Sequence, residues 1–174
     1  MAYMKITAAP DRAQLTADGF VRLVAAVRVH SDLDRVVALL AGTGSPWLHG
    51  TVERPAVPGL RRYAVDLRLR VGGEQVGLTT FSKAAYLDLG PPRRTPEGWE
   101  AEISWRAAGA APLFPVFSGW LLLRPQELRI EGLYAPPGGT VGRVADRVLL
   151  HVAANGTARW ILHELDRAAL GAAG

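Results

Sequence analysis

The sequence of 174 residues contains no cysteine. Disulfide bonds, zinc–thiolate sites, iron–sulfur clusters and thiol nucleophiles are therefore excluded for this chain. Lysine is scarce as well, because only Lys5 and Lys83 occur among the twenty basic residues. Apolar runs of membrane-spanning length are missing, and the first residues lack the pattern of a secretory signal. We expect a cytoplasmic protein that does not insert into a membrane.

The basic residues do not cluster. The formal net charge is +4 and the isoelectric point is near 10.0, a balance that is compatible with nucleic-acid binding. However, the arginines are spread among sixteen acidic residues, and only the pairs Arg61-Arg62 and Arg93-Arg94 are adjacent. Phosphate binding depends on clustered cations. We therefore expect no nucleic-acid partner. Hydrophobic residues make up 49 % of the chain, which predicts an ordered protein with one sizeable core.

Several segments alternate between apolar and polar residues with the period of two that half-buried strands show. The clearest is 63–71, in which apolar residues alternate with Asp66, Arg68 and Arg70. On this basis we predict strands over 20–29, 63–71 and 99–107. Two further strands are predicted over 117–123 and 128–134, on either side of a short turn sequence. Gly72-Gly73 predicts a hairpin turn, and residues 124–127 predict another.

The connections between these strands carry weaker patterns. A short helix is expected after the first strand, with Ser31 as its N-cap, Asp32 and Asp34 in its first turn and Gly42 at its end. Segment 44–58 predicts a turn and, as an alternative, one further short helix. Segment 75–89 is apolar without strict alternation, which predicts two strands or one strand interrupted by a bulge.

The period lengthens to nearer four after Pro136-Pro137-Gly138-Gly139, and 140–170 predicts a long amphipathic helix. Asn155-Gly156 falls inside it and predicts either a kink or a close approach of its backbone to the sheet. We favour one continuous helix. No repeat or linker divides the chain, so we expect one domain over 1–174. The order of elements predicts an α+β fold.

Three segments in the last third carry a family resemblance: ISWRA at 103–107, LFPVFSG at 113–119 and GLYAPPGG at 132–139, which runs into Asp146 and the terminal helix. With the order of elements, they resemble uncharacterised bacterial members of the START-like or SRPBCC superfamily of polyketide cyclases, dehydrases and lipid-transport proteins. The resemblance implies a helix-grip fold, in which a curved antiparallel sheet wraps around a long C-terminal α-helix, with one or two short helices after strand one. It also implies a cavity for apolar or amphipathic ligands between sheet and helix.

The period of two indicates which side chains would line such a cavity. The inward-facing candidates, opposite Val148 and Val152 of the terminal helix, are Tyr63, Val65, Leu67, Trp99, Ile103, Trp105, Ile130 and Tyr134. Large aromatic rings with a few polar tips suit an aromatic or polycyclic ligand. The alternative interpretation is that these residues are ordinary core.

The sequence contains few residues that indicate catalysis. The histidines do not stand at the helical spacing of a shared metal site, and no serine has a nucleophile context, so we expect no metal and no cofactor. His151 could act as an acid or base in the cavity, although a structural role is the stronger alternative for it, as for His49 and Asp146.

Three functions stay open from the sequence. The first is binding or carriage of a small lipid- or polyketide-like ligand. The second is a cyclase or dehydratase in which Tyr63, Tyr134 or His151 orients or protonates the substrate. The third is a protein-interaction module without a ligand. The oligomeric state is not predicted.

Overall fold

The alternating segments form strands of one antiparallel sheet. The computed structural model describes residues 20–42, 47–48, 51–53, 59–71, 79–109, 116–135 and 144–171, with side chains described in these ranges except at 51–53, 67–71, 79–83 and 144–153. The described strands are β1 (Val21–Arg28), β2 (Thr51–Glu53), β3 (Arg61–Val71), β4 (Thr79–Leu89), β5 (Arg93–Thr95), β6 (Gly98–Ala107), β7 (Val116–Arg124) and β8 (Glu127–Ala135). The helices are α1 (Leu33–Ala41) and α2 (Val144–Gly171).

The sheet has the order β1-β8-β7-β6-β4-β3-β2, and β5 pairs with β6 beside this path. It is curved, and α2 packs on it, so the predicted α+β helix-grip architecture is confirmed. The backbone of α2 approaches β1 and β8 near one edge of the sheet and β3 near the other. Among the described residues, the backbones of β4, β6 and β7 lie farther from α2, and large side chains fill the distance.

One face of the sheet is buried along its whole width. In β6 the buried residues are Ala101, Ile103 and Trp105, whereas Arg106 next to them is exposed. We call the face that α2 covers the concave face and the opposite one the convex face. The predicted alternation is confirmed in β1, in β6 and in the described side chains of β3, where every second residue is buried. In β7, Ser118 and Leu122 on the other face are buried as well.

The short helix α1 begins one residue later than predicted. Asp32 is its N-cap, and its side chain accepts a hydrogen bond from the backbone N–H of Asp34 at 3.0 Å. The prediction of Ser31 as the cap is wrong, since the Ser31 hydroxyl bonds to Asp166 of α2 instead. Gly42 ends the helix as predicted, with its N–H donating to the carbonyl of Ala38.

Three other connections differ from their predictions. β4 is continuous over its described length and pairs with β3 residue for residue, so the interruption predicted within 75–89 does not fall in Thr79–Leu89. β2 is a strand within the segment for which a turn or second helix was expected, and β5 lies in a predicted loop. The turns predicted at Gly72-Gly73 and at 136–139 lie outside the described residues.

The helix α2 runs without interruption through Asn155-Gly156, as favoured from the sequence. A Cβ added to Gly156 would meet no atom within 4 Å. The alternative of a close backbone approach at this glycine is therefore wrong. The buried face of the helix follows the 3.6-residue period and consists of Ala154, Thr157, Ala158, Ile161, Leu162, Leu165, Asp166 and Ala169.

Neither helix in the described part of the chain combines the length and apolar character that crossing a membrane requires.

Candidate functional site

The strand register aligns large side chains in one row across the concave face. Cross-strand pairs connect neighbouring strands at the same level, from β3 to β1, and the paired residues are Tyr63, Leu87, Trp105, Phe117, Tyr134 and Val21. We call these six residues the aromatic row. Its members from Tyr63 to Tyr134 are at most 2 % exposed. Three of the predicted site residues, Tyr63, Trp105 and Tyr134, thus lie at one level of the sheet, with Tyr63 and Tyr134 four strand spacings apart.

Two rings at the centre of the row are stacked. The ring centroids of Trp105 and Phe117 are 3.9 Å apart, and their planes differ by 16°. The row is extended at the β3 end by Trp47, whose ring centroid lies 6.2 Å from that of Tyr63. Aromatic pairs in such contact contribute roughly 1 kcal/mol beyond the area that they bury. The row is therefore a rigid apolar surface.

A pair of glycines lies directly beside this stack. Gly119 in β7 and Gly132 in β8 pair across the strands. A Cβ added to Gly119 would lie 2.7 Å from the Cα of Gly132 and 2.8 Å from Cζ of Phe117, and it would overlap the carbonyl oxygen of Glu131. The two strands therefore approach too closely for side chains here, and the Phe117 ring lies against this bare backbone.

The other predicted lining residues lie at increasing distance from the row. Val65 and Ile103 are buried on the same face, each two residues along its strand from the row and on opposite sides of it. Ile130 is buried four residues along β8 from Tyr134, on the same side of the row as Ile103. Trp99 is six residues from Trp105 along β6, which corresponds to roughly 20 Å, so the two do not share a small site. The side chains of Leu67, Val148, Val152, His151 and Asp146 lie outside the described residues.

Trp99 belongs to a separate surface groove. The groove has a volume of about 240 Å³ and is lined by Thr95, Pro96, Glu97, Trp99, Glu100, Leu122 and Arg124. The guanidinium of Arg94 lies 5.9 Å from the centroid of the Trp99 ring. Because the groove is shallow and its walls carry an ion pair between Arg124 and Glu97, it resembles an ordinary charged surface.

Three polar atoms are buried on the concave side without a hydrogen-bond partner in the described part of the chain: Nε1 of Trp47, Nε1 of Trp105 and Oγ1 of Thr157. A buried donor without a partner costs roughly 1–3 kcal/mol. Tyr134 is not among these unpaired groups. Burial raises the pKa of the Tyr134 phenol, so the hydroxyl is protonated at neutral pH.

The buried carboxylate of Asp166 ties α2 to the segment before α1. It accepts hydrogen bonds from Ser31 Oγ at 2.7 Å, from Ser31 N at 3.1 Å and from His30 N at 3.2 Å, and Nδ1 of His30 lies 3.4 Å away. Burial by itself would raise the pKa of Asp166, but these hydrogen bonds outweigh it and lower the pKa. The Ser31 hydroxyl points to the carboxylate and not to the His30 ring, so this group is a structural clamp without nucleophile chemistry.

The convex face carries interacting polar side chains on β3, β4 and β6. Arg62 donates two hydrogen bonds of 2.7 Å to the carboxylate of Asp88. The guanidinium carbons of Arg62 and Arg106 each lie 5.2 Å from the ring centroid of Tyr86. This part of the face therefore carries one bidentate ion pair and two cation–π contacts.

Sequence reasoning missed Phe117, Thr157 and Asp166. Phe117 shares its face of β7 with Leu121 and Leu123, but the other face is also largely apolar, so the segment shows no clear period of two. Asp166 stands on the apolar stripe of α2 next to Leu165, and a carboxylate at such a position signals a buried partner. Thr157 gives no comparable signal.

Among the described residues, no group of three or more histidine or carboxylate side chains is placed to hold a metal ion. No protein-family model matches the chain, and a search of curated proteins finds no significant match.

Proposed function

We propose that the protein binds a small apolar or amphipathic ligand between the concave face and α2, as its resemblance to the START-like superfamily implies. The observation that carries this proposal is the aromatic row. Aromatic and aliphatic side chains in one row give broad apolar contact at little cost in side-chain entropy, which suits a lipid- or polyketide-like molecule.

The small side chains on α2 support the same site. Ala154, Thr157 and Ala158 form the first described part of its buried face, whereas Ile161 and Leu162 follow one turn later. Small residues leave more room under the first part of the helix than under the second. A ligand there would contact α2 on one side and the row on the other.

Membership of the START-like superfamily is part of this proposal, and so is a cytoplasmic location. The fold supports the first, because a helix-grip sheet with a long terminal helix is the architecture of that superfamily. Fold alone does not separate a carrier from an enzyme. The row favours the carrier, since its two titratable groups, Tyr63 and Tyr134, are separated by Leu87, Trp105 and Phe117.

The test is native mass spectrometry of protein purified from its own host, followed by extraction under denaturing conditions. We expect a co-purified small molecule whose retention falls at least tenfold in Trp105→Ala and Tyr134→Ala. The matched control is Trp120→Ala, because Trp120 lies on the convex face near Arg93. The control should retain the molecule at the wild-type level.

Two outcomes would contradict the proposal. One is the absence of any bound molecule together with no thermal shift across a panel of lipids and polyketides. The other is a bound molecule that the Trp120 variant loses and the Trp105 variant keeps. The first outcome would favour an interaction module, which needs no ligand.

A further inference from the structure

The indole N–H of Trp105 has no acceptor in the described part of the chain. The side chain is 1 % exposed, so water does not supply one from the surface. An indole nitrogen can only donate a hydrogen bond. Trp105 also stands at the centre of the aromatic row, stacked on Phe117. Apolar ligand sites usually contain only a few polar groups, and these groups fix the orientation of the ligand. The unpaired N–H of Trp105, in the middle of an apolar surface, matches this pattern.

Two further unpaired groups lie around the same interior. Trp47, which contacts Tyr63 at the β3 end of the row, also has an indole N–H without a partner, and Thr157 contributes a hydroxyl from α2. Tyr63 and Trp105 are separated by Leu87 in β4, which places their backbones roughly 10 Å apart. Both unpaired indoles along the row can only donate, whereas the Thr157 hydroxyl can also accept and the unpaired Oδ1 of Asn155 on α2 is an acceptor. A ligand that pairs with the row itself must therefore bring an acceptor.

The charge of the interior decides which acceptor fits. No lysine or arginine is buried among the described residues, and the one buried carboxylate, Asp166, is saturated by Ser31 and His30. An anionic ligand group would lose its hydration without gaining a counter-charge. A neutral carbonyl loses far less hydration free energy on burial, and it accepts the same hydrogen bond.

We infer that the ligand of the proposed site carries a neutral carbonyl group, a ketone or an ester, which accepts a hydrogen bond from Nε1 of Trp105. This inference rests on the proposed function and narrows it to one chemical class. Trp105 is then a specificity-determining residue. Hydrocarbons of the same shape would enter the site but leave the indole unpaired.

The test compares two probes of nearly equal shape, 2-acetylnaphthalene and 2-ethylnaphthalene, in titrations of the whole protein. One net hydrogen bond corresponds to about tenfold in affinity, so we expect the ketone to bind about ten times more tightly. In Trp105→Phe, which keeps an aromatic ring but removes the donor, the preference for the ketone should be lost or reversed, because its carbonyl would be buried without a hydrogen bond. The control Trp120→Phe should keep the tenfold preference.

A second measurement does not depend on the variant being folded. In a ¹⁵N–¹H spectrum of the wild-type protein, the indole proton of Trp105 is identified by its contacts to the ring protons of Phe117. It should move downfield when the ketone is bound and stay in place with the ethyl compound.

The outcomes separate this inference from the proposed function. If both probes bind wild-type protein with equal affinity, or if Trp105→Phe keeps the preference, the carbonyl inference is overturned and ligand binding stands. If the ketone binds but the signal of the Trp105 indole proton does not move, the carbonyl inference is likewise overturned and ligand binding stands. Binding of neither probe overturns the inference, and the co-purification experiment then decides whether ligand binding itself stands.

Discussion

The hydroxyl of Ser31 donates a hydrogen bond of 2.7 Å to the carboxylate of Asp166, across 135 residues of sequence. Together with the backbone N–H groups of Ser31 and His30, it fixes the last turns of α2 beside the segment before α1. The helix that covers the aromatic row is therefore held at its C-terminal end by a buried, charged contact. Apolar packing of Leu165 and Ala169 surrounds that contact.

The clamp predicts an acid-sensitive fold. The pKa of Asp166 is lower in the folded protein than its ordinary value of 3.8. At a pH between these two pKa values, the carboxyl group is mostly protonated in the unfolded chain and mostly ionised in the folded protein. The resulting stability is fully present above about pH 4 and is lost as the pH falls through the folded pKa. Urea unfolding from pH 7 to pH 2.5 should show this loss in the wild type.

The variant Asp166→Asn tests whether the loss of stability at acidic pH comes from this carboxylate. It should be about 2 kcal/mol less stable at pH 7, because hydrogen bonds to a charged group contribute roughly 1.5–3 kcal/mol. The difference from the wild type should shrink as the pH falls below 4. Glu164→Gln is the control, since Glu164 bonds to the exposed Arg167. A constant difference at all pH values would show that the carboxylate charge is not responsible.

Ser31 and Asp32 are neighbours with different roles, and a double-mutant cycle separates them. Ser31→Ala removes a donor to Asp166 and should cost about 1 kcal/mol. Asp32→Ala removes the N-cap of α1 and should cost about the same. When combined with Asp166→Asn, the Ser31 change should be strongly non-additive and the Asp32 change nearly additive. Equal coupling for both would contradict the assignment of the cap.

The glycine pair beside the stacked rings should tolerate no side chain. Gly119→Ala places a Cβ against the backbone of β8 and the ring of Phe117, and we expect a loss of about 3 kcal/mol, at the upper end of overpacking effects. Gly109→Ala is the control, because a Cβ there meets nothing within 4 Å. Chemical unfolding measures both. A loss below about 0.5 kcal/mol in Gly119→Ala would mean that the strands are farther apart than described.

Gly156→Ala should stabilise the protein. The residue lies inside α2 with open space around its Cα, so alanine brings its higher helix propensity without a clash. The expected gain is about 1 kcal/mol in the free energy of unfolding. Thermal and urea unfolding would show it. A destabilised variant would indicate that the glycine serves a bend or a contact after all.

The period of two predicted the strands and the faces of their side chains, because one face of each strand is buried. It could not predict the register, and the register decides that Trp105 pairs with Phe117. The strands β2 and β5 have three residues each, which is too short for any period to be visible. The contact between Ser31 and Asp166 joins distant segments, so the local pattern suggested an N-cap instead.

The pairing of β1 with β8 has a consequence for how the chain folds. Ala25 pairs with Ile130, so about 100 residues must be synthesised before β1 meets its partner. At the usual rate of synthesis this takes roughly 5–20 s. During that time the apolar side of β1, with Leu23, Ala25 and Val27, has no sheet to cover it. Ribosome-bound chains that stop before β8 should therefore recruit chaperones strongly. Refolding of the whole protein should be slow for its size, because the entropy cost of closing so long a loop comes before the strand pairing that offsets it.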